Sequence, residues 1–391
     1  MLETFAALSK LLRYRRLHID GTVFRLHCTL TVIILMTFCL INSTKLLVGE
    51  PIDCESSGET VDKSTLNMYC FIGSTYSIDP DLYAADTDVG IYRGLGTHQS
   101  RQLIYHYYYQ WVWFMLFMQS IFFYFPRWLW KCFEQNKMSA LVSDLNYFSS
   151  DSQAIDRKVD LIVEYLYKTN GINDWYAMKY WFCEILSLLN VILQIVVNDM
   201  FLCHQFNDYG FRLFRHLTGD PTVKVDPMTK IFPILSKCEF KRFGATGSVE
   251  TIDALCVLSV NIFNQKIYLF LWFWYYFLAI VTSFVVAFRL VIICCPQFRY
   301  YVCRHRFELC LDNSDNQINL LISRLYLGNW FILYLLTHNI EPIVSAKLLE
   351  KLCRKFQLNV DSNSSIVDID NNNNNNNNKI VVDINNNQTS V

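Results

Sequence analysis

The stretch YYYQWVWFMLFMQSIFFYFPRWLW, residues 107–130, contains no charged side chain before Arg127. At about 1.5 Å of rise per residue, a helix of this length crosses a hydrocarbon core of roughly 30 Å. Tyrosine and tryptophan rings gather at both ends, and the basic residues Arg127 and Lys131 lie at one end only, which is typical of a span whose basic end faces the cytoplasm. The alternative is a buried helix of a large soluble protein, but three further apolar segments favour a membrane protein.

The composition agrees with this interpretation. The chain has 391 residues, of which 52% are hydrophobic and 18% are charged. Soluble domains usually carry about 25% charged residues. The net charge of −1 does not indicate a nucleic-acid partner.

Four apolar segments organise the chain. We predict transmembrane helices over residues 24–47, 107–130, 178–203 and 267–294. The other predicted regions are an amino-terminal segment (1–23), loops on one side of the membrane (48–106 and 204–266), a loop on the opposite side (131–177), a helical region (295–356) and an Asn-rich disordered tail (357–391). Basic residues in the amino-terminal segment favour a cytoplasmic amino terminus. A cleaved signal peptide is the alternative for the first apolar segment, but no small-x-small cleavage site follows it.

The third predicted span carries five polar side chains at intervals of three or four residues, so they share one helical face. They are Glu184, Ser187, Asn190, Gln194 and Asn198. Such a face either bonds neighbouring helices or borders an aqueous pore, and the sequence leaves both alternatives open.

Four cysteines lie in the two loops on the same predicted side: Cys54, Cys70, Cys238 and Cys256. In an oxidising compartment they can form two disulfides, with three pairings to choose from. The loop cysteines lack the C-x₂-C spacing of a zinc site, and the histidines lack H-x-x-H or HExxH spacing. We therefore expect no metal, no cofactor and no enzymatic activity. The predicted fold class is an all-α polytopic membrane protein, with four transmembrane helices per subunit, two disulfide-stapled extracellular loops and a cytoplasmic helical region.

The motif Tyr108-Tyr109-Gln110-Trp111-Val112 resembles the YYQWV signature of innexins, the invertebrate gap-junction proteins. Further stretches are similar in the same order, among them VFRLH at 23–27, KCEFKRFGATGSV at 237–249 and GNWFILYLLTHNIEP at 328–342. The resemblance covers about residues 1–350 and includes all four loop cysteines. The sequence departs from the family pattern at Trp113, where innexins usually have proline, and in the Asn-rich tail.

The resemblance implies a ring-shaped oligomer around a central pore, an octamer of this subunit or of this and other innexin subunits. It implies a multi-pass protein of the plasma membrane, in contact with lipid, with both termini cytoplasmic. Rings on adjacent cells would dock through the loops as a gap junction for ions and small metabolites. The implied disulfides are Cys54 with Cys256 and Cys70 with Cys238. Because the family's amino-terminal segment folds into the pore mouth and the first loop is acidic, the pore-lining candidates are Met1, Leu2, Glu3, Thr4, Phe5, Glu50 and Asp53.

Two other functions stay open at this point. An unpaired hemichannel would release ions or metabolites, and a glycan on the sequon Asn42-Ser43-Thr44 would favour it by blocking docking. We expect that sequon to be unused, because it lies at the end of the first span. A junctional adhesion role without conduction is the second alternative.

Overall fold

The computed structural model describes residues 19–56, 61–78, 103–143, 145, 152–220, 226–307 and 321–357. The pore-mouth candidates Met1, Leu2, Glu3, Thr4 and Phe5 and the Asn-rich tail lie outside these ranges. The chain divides into two compact units. The loop-bearing unit comprises Thr22–Leu129 and Cys183–Val286, and the terminal unit comprises Met1–Gly21, Trp130–Phe182 and Ala287–Val391.

The described residues are mostly helical. The helices are α1 (Thr22–Leu47), α2 (Lys63–Gly73), α3 (Val112–Glu134), α4 (Lys137–Val142), α5 (Ser152–Lys168), α6 (Asp174–Phe201), α7 (Phe206–Leu217), α8 (Pro227–Ile231), α9 (Asn261–Cys294), α10 (Pro296–Phe307), α11 (Leu327–Asn339) and α12 (342–357). The strands are β1 (Asp53–Ser56), β2 (Thr75–Ile78), β3 (Leu103–His106), β4 (Leu235–Phe243) and β5 (Val249–Val257).

Three of the described helices, α1, α6 and α9, are long and apolar enough to cross a membrane. The helix α3 forms where the second span is predicted and contains 23 residues, but it is not one of these three. Its apolar face is interrupted by Gln119 and Arg127, and its many tyrosine and tryptophan rings carry polar atoms. A fourth span therefore stays a prediction.

The helices of the loop-bearing unit share one apolar core. Its buried side chains come from α1, α3, α6 and α9 and include Leu35, Leu116, Phe123, Val191, Leu271 and Leu278. Close van der Waals packing of such side chains joins the helices within the unit.

The all-α class needs correction in the two loops, where the structure has a five-stranded antiparallel sheet in the order β1-β5-β4-β2-β3. β4 and β5, with nine residues each, form an antiparallel hairpin. β1 pairs with the other edge of β5 and places Cys54 opposite Cys256. Segments that leave a helix must still satisfy their backbone N–H and C=O groups, and strand pairing between the loops does this. The two loops therefore form one folded layer.

The terminal unit is built around α11. Eight of its thirteen residues are buried, on all sides of the helix. Around it, α5 and α12 are joined by three ion pairs, which link Lys347 to Asp156, Lys351 to Asp160 and Lys355 to Glu164. At 13 residues, α11 is shorter than the roughly 20 that a span requires, so its apolar character reflects burial in protein.

Candidate functional site

Two disulfides join the loops into one body. Cys54 in β1 and Cys256 in β5 are register partners in adjacent strands and are bonded to each other. Cys70, in the last turn of α2, is bonded to Cys238 in β4. All four residues are buried. These are the two pairs that the resemblance implies, and each connects the first loop to the second.

Three of these sulfurs, those of Cys54, Cys70 and Cys256, lie within 4.8 Å of one another. That spacing would suit a thiolate metal site, but metal coordination by cysteine requires the free thiolate. Because the sulfurs are oxidised in disulfides, we assign them a structural role.

The helix α2 is held at both ends by side chains. At its start, the Asp62 carboxylate accepts a hydrogen bond from the Thr65 backbone N–H at 3.2 Å, which is the usual amino-terminal cap. Along its inner face, Leu66 and Cys70 are buried one turn apart beside the disulfides. The outer face leaves Met68 exposed.

The signature residues Tyr109 and Gln110 bind the other end of α2. The Tyr109 hydroxyl donates to the carbonyls of Cys70 and Phe71, at 3.4 Å each. The Gln110 amide donates to the carbonyl of Phe71 and, at 3.3 Å, to that of Ile72. The last carbonyls of a helix have no partner within the helix. The signature therefore supplies the carboxyl-terminal cap of the helix that carries Cys70.

Tyr108 makes a second set of connections. Its hydroxyl donates to the Ile231 carbonyl at 3.1 Å and accepts from the Asn261 amide at 3.0 Å. Asn261 begins α9, and it accepts from Asn264, whose own oxygen accepts from the Asn42 amide of α1 at 2.6 Å. A continuous chain of hydrogen bonds thus joins the turn before α3 to α9 and α1, at the ends nearest the sheet. Buried amides in such a chain favour this arrangement of the helices, because separating them would leave buried polar groups unpaired.

The position of Asn42 bears on the glycan question. Its side chain is fully buried and its nitrogen donates to Asn264. The folded chain therefore leaves the Asn42 side chain inaccessible, and the expectation that the sequon is unused stays a prediction.

The remaining signature residues have different environments. Val112 is buried in the helical core, whereas the Trp111 side chain is half exposed. The helix α3 continues through Trp113, so the departure from the family proline leaves the backbone helical there. The carbonyl of Trp113 accepts from the Cys39 thiol at 3.4 Å.

The polar face of the third predicted span is buried within the loop-bearing unit. All five of its residues are buried, and Asn198 accepts from Gln119 of α3 at 2.8 Å. Gln119 in turn accepts from the Tyr275 hydroxyl of α9 at 2.9 Å. Asn198 therefore bonds a neighbouring helix, whereas the described bonds of Ser187 and Gln194 stay within α6, so bonding between helices is supported at Asn198 and stays a prediction for the rest of the face. Three residues of these hydrogen-bond networks were not identified from the sequence: Gln119, which bonds Asn198, and Asn261 and Asn264, which belong to the network around Tyr108. A lone polar residue in an apolar helix is the signal that could have found them.

The two described pore-lining candidates differ in their surroundings. Asp53 forms an ion pair with Lys63 at 2.8 Å, and both side chains are about half exposed. The Glu50 side chain is exposed, and its backbone carbonyl accepts from the Ser259 hydroxyl. Because the Lys63 ammonium partly cancels its charge, Asp53 attracts cations less strongly than an unpaired carboxylate would.

Removing the cap of α2 tests the role of the signature. We expect Gln110→Ala and Tyr109→Phe each to lower the stability of the loop-bearing unit by about 0.5–1.5 kcal/mol, because each removes hydrogen bonds to the last carbonyls of α2. The thermal midpoint of the purified protein, followed by fluorescence, would measure this. Tyr107→Phe is the matched control, since the Tyr107 side chain is largely exposed. Equal midpoints in all three variants would contradict the capping role.

His106 makes the edge of the sheet sensitive to acid. Its buried ring is 2.7 Å from the Ser77 hydroxyl, and burial lowers the pKa of His106 to about 4 from an ordinary 6.5. The unfolded chain therefore binds this proton more readily than the folded chain. The contribution of neutral His106 to the free energy of unfolding is fully present above about pH 6.5 and is lost as the pH falls toward 4. At pH 5 we expect about 2 kcal/mol of it to be lost.

The thermal midpoints of the wild type and of His106→Gln, each compared at pH 7.5 and pH 5, measure this effect. Glutamine can bond Ser77 but does not titrate, so we expect a smaller acid-induced drop in the variant. The same drop in both proteins would show that other groups are responsible.

Comparison with known proteins agrees with these features. The innexin family model matches residues 20–356. Innexin shaking-B of Drosophila melanogaster is 37% identical over 92% of this chain and 96% of its own length. Innexin inx2 of Schistocerca americana is 37% identical over 91% of this chain and 99% of its own, and innexin inx2 of Drosophila melanogaster is 35% identical over 91% and 96%. With apolar helices, a disulfide-linked pair of loops and a matching family signature, this chain belongs to the innexin family, whose members are the structural subunits of gap-junction channels.

Proposed function

We propose that this innexin subunit crosses the plasma membrane four times, with both termini in the cytoplasm, and assembles into an octameric ring around a central pore. In this arrangement α3 is the second of the four spans. Its aromatic ends and its hydrogen bonds to α6 and α9 through Gln119 support this assignment. The neighbouring subunits are copies of this chain or other innexins.

We propose further that two such rings dock across the gap between adjacent cells. The observation that carries this proposal is the disulfide-linked sheet, because a docking surface needs a fixed shape before it meets its partner. The β4–β5 hairpin adds an exposed tip, where Phe243 and Val249 are both exposed at the ends of the strands. An Arg242–Glu250 ion pair at 3.1 Å connects the strands beside this tip.

The channel passes ions and small metabolites without transforming them, as expected of a channel protein rather than an enzyme. Its selectivity would depend on pore width and on the charges at the entrance. Exposed charges are screened within about 8 Å at physiological salt, and Asp53 is paired with Lys63. We therefore propose at most a mild preference for cations.

Two alternative functions are less well supported by these observations. An unpaired hemichannel would be favoured by a glycan on the docking side, but Asn42 is buried. A non-conducting junctional adhesion role would use the same exposed sheet without a pore.

Recording from pairs of apposed cells that express only this chain tests the proposal. We expect junctional current in expressing pairs and none in pairs where one cell lacks the chain. Current in single cells with no junctional current would favour the hemichannel. Silence in both recordings, with the protein at the cell surface, would contradict a homomeric channel and favour a heteromeric or adhesive role.

A further inference from the structure

We infer that α7 is a lipid-binding helix of the second loop, and that its outer side inserts into the outer leaflet of the membrane beside α9. This inference goes beyond the proposed channel function. It rests on the family's membrane location and on α9 as a span, and it does not require that the channel conducts.

The first observation is that α7 is fixed against the early turns of α9. The Asn207 carbonyl of α7 accepts from the Trp272 indole at 3.0 Å, and the Asn207 side chain accepts from the Tyr276 hydroxyl at 3.3 Å. The Tyr209 hydroxyl donates to the Gln265 carbonyl at 3.0 Å. Eleven residues separate Gln265 from Tyr276, so α7 covers about 16 Å of α9, mostly within its apolar stretch.

Gly210 explains how the two helices approach so closely. A Cβ atom at this position would lie 2.4 Å from the Trp272 ring, which is closer than two non-bonded carbon atoms approach each other. The contact therefore requires glycine, and it holds α7 directly on the flank of α9.

The second observation is that α7 has three sides of different character. One side is buried against its own unit, with Phe206, Tyr209 and Leu213. The polar side carries Arg215 and an Asp208–Arg212 ion pair at 3.1 Å. Between these two, at a step of 100° per residue, lie Phe211 and Phe214, with 61% and 67% of their surfaces exposed.

The third observation is that this aromatic side is continuous with the exposed surface of α9. The Phe211 ring packs edge-on against Trp272 at 5.1 Å, and Trp272 packs against Phe273 at 4.9 Å. From Phe273 an exposed apolar stripe continues along α9: Phe277, Ile280 and Phe284. Hydrocarbon chains that cover this stripe would also reach Phe211 and Phe214.

The charge pattern favours lipid as the occupant over a second copy of this chain. A helix with aromatic side chains on one side and arginine on another is typical of a segment that lies in the membrane interface. The apolar rings reach the acyl chains, while Arg212 and Arg215 remain at the level of the phosphate groups.

Site-specific photo-crosslinking of the full-length chain in cell membranes tests this inference. The photoreactive phenylalanine analogue p-benzoyl-phenylalanine replaces Phe211 or Phe214, and after irradiation the products are analysed by gel and by mass spectrometry. Phe243 is the matched control, because it is an equally exposed phenylalanine of the same loop on the sheet hairpin. The analogue at Arg212 samples the polar side of α7.

We expect phospholipid adducts at Phe211 and Phe214, several-fold more abundant than at Phe243 or Arg212. A crosslinked pair of subunits at Phe214 would overturn the inference and assign this side to a second copy. Adducts no more abundant than at Phe243 would also overturn it, because they would place the side in water. Surface labelling of each variant confirms that the chain has folded and reached the membrane. Because the adduct is read without conductance, a failed channel assay leaves this test intact.

Discussion

Replacing both Cys54 and Cys256 with serine is expected to abolish junctional current between paired cells. The disulfide joins β1 of the first loop to β5 of the second, across 202 residues of sequence. Loss of a native disulfide typically costs about 2–5 kcal/mol, a large share of the stability of a single domain. Without this bond no covalent link joins the short edge strand β1 to β5, and we expect the surface available for docking to lose its fixed shape.

Cys203→Ser is the control, because Cys203 is a free, exposed cysteine at the end of the third predicted span, next to the second loop. Junctional conductance and surface abundance should be measured together for both variants. Normal current in the double serine variant would show that docking does not depend on this disulfide. Loss of current in Cys203→Ser would point to a general sensitivity of the protein to cysteine substitution.

Replacing Gly328 with alanine is expected to destabilise the terminal unit by about 3 kcal/mol, the upper end of the usual range for overpacking. A Cβ atom at Gly328 would lie 2.2 Å from the backbone carbonyl of Asn173 and 2.4 Å from the Asp174 nitrogen. Backbone atoms cannot rotate away as the end of a flexible side chain can. The shift would also disturb the 2.6 Å hydrogen bond from the Gly328 N–H to the Asp174 carboxylate.

Gly73→Ala provides the control, since the nearest atom to its added Cβ is 3.9 Å away on Tyr69. The yield of monodisperse protein and its thermal midpoint should fall for Gly328→Ala and change little for Gly73→Ala. A Gly328→Ala protein with the wild-type midpoint would show that the packing of α11 relaxes more easily than the described contacts suggest.

The long helices could be predicted from the sequence, because a run of apolar residues in a membrane protein has few alternatives to a helix. The predicted ends at Leu47 and Cys294 coincide with the ends of α1 and α9, but several other ends differ. The helix α9 begins at Asn261, six residues before the predicted apolar boundary, because Asn261 and Asn264 bond Tyr108 and Asn42 there. Helices end where backbone groups find other partners, and those partners are distant in the sequence.

The sheet escaped prediction for a related reason. The outer strands contain four residues each, too few for an alternating pattern to be recognised. In β4 the inward positions are held by Ser236 and Cys238, which do not form an apolar alternation. The signature motif was visible in the sequence, but its role as the cap of α2 depends on a helix 38 residues away that only the fold brings beside it.

The connectivity of the two disulfides also has a consequence for biosynthesis. Both bonds join the first loop to the second, at separations of 202 and 168 residues, so neither can close until the second loop has been synthesised and translocated. At about 5–20 residues per second, the first loop waits roughly 10–40 s with Cys54 and Cys70 reduced and within reach of each other. A premature bond between these two thiols would leave Cys238 and Cys256 to pair together. Wherever that premature bond forms, thiol–disulfide exchange must break it before the two native bonds can close.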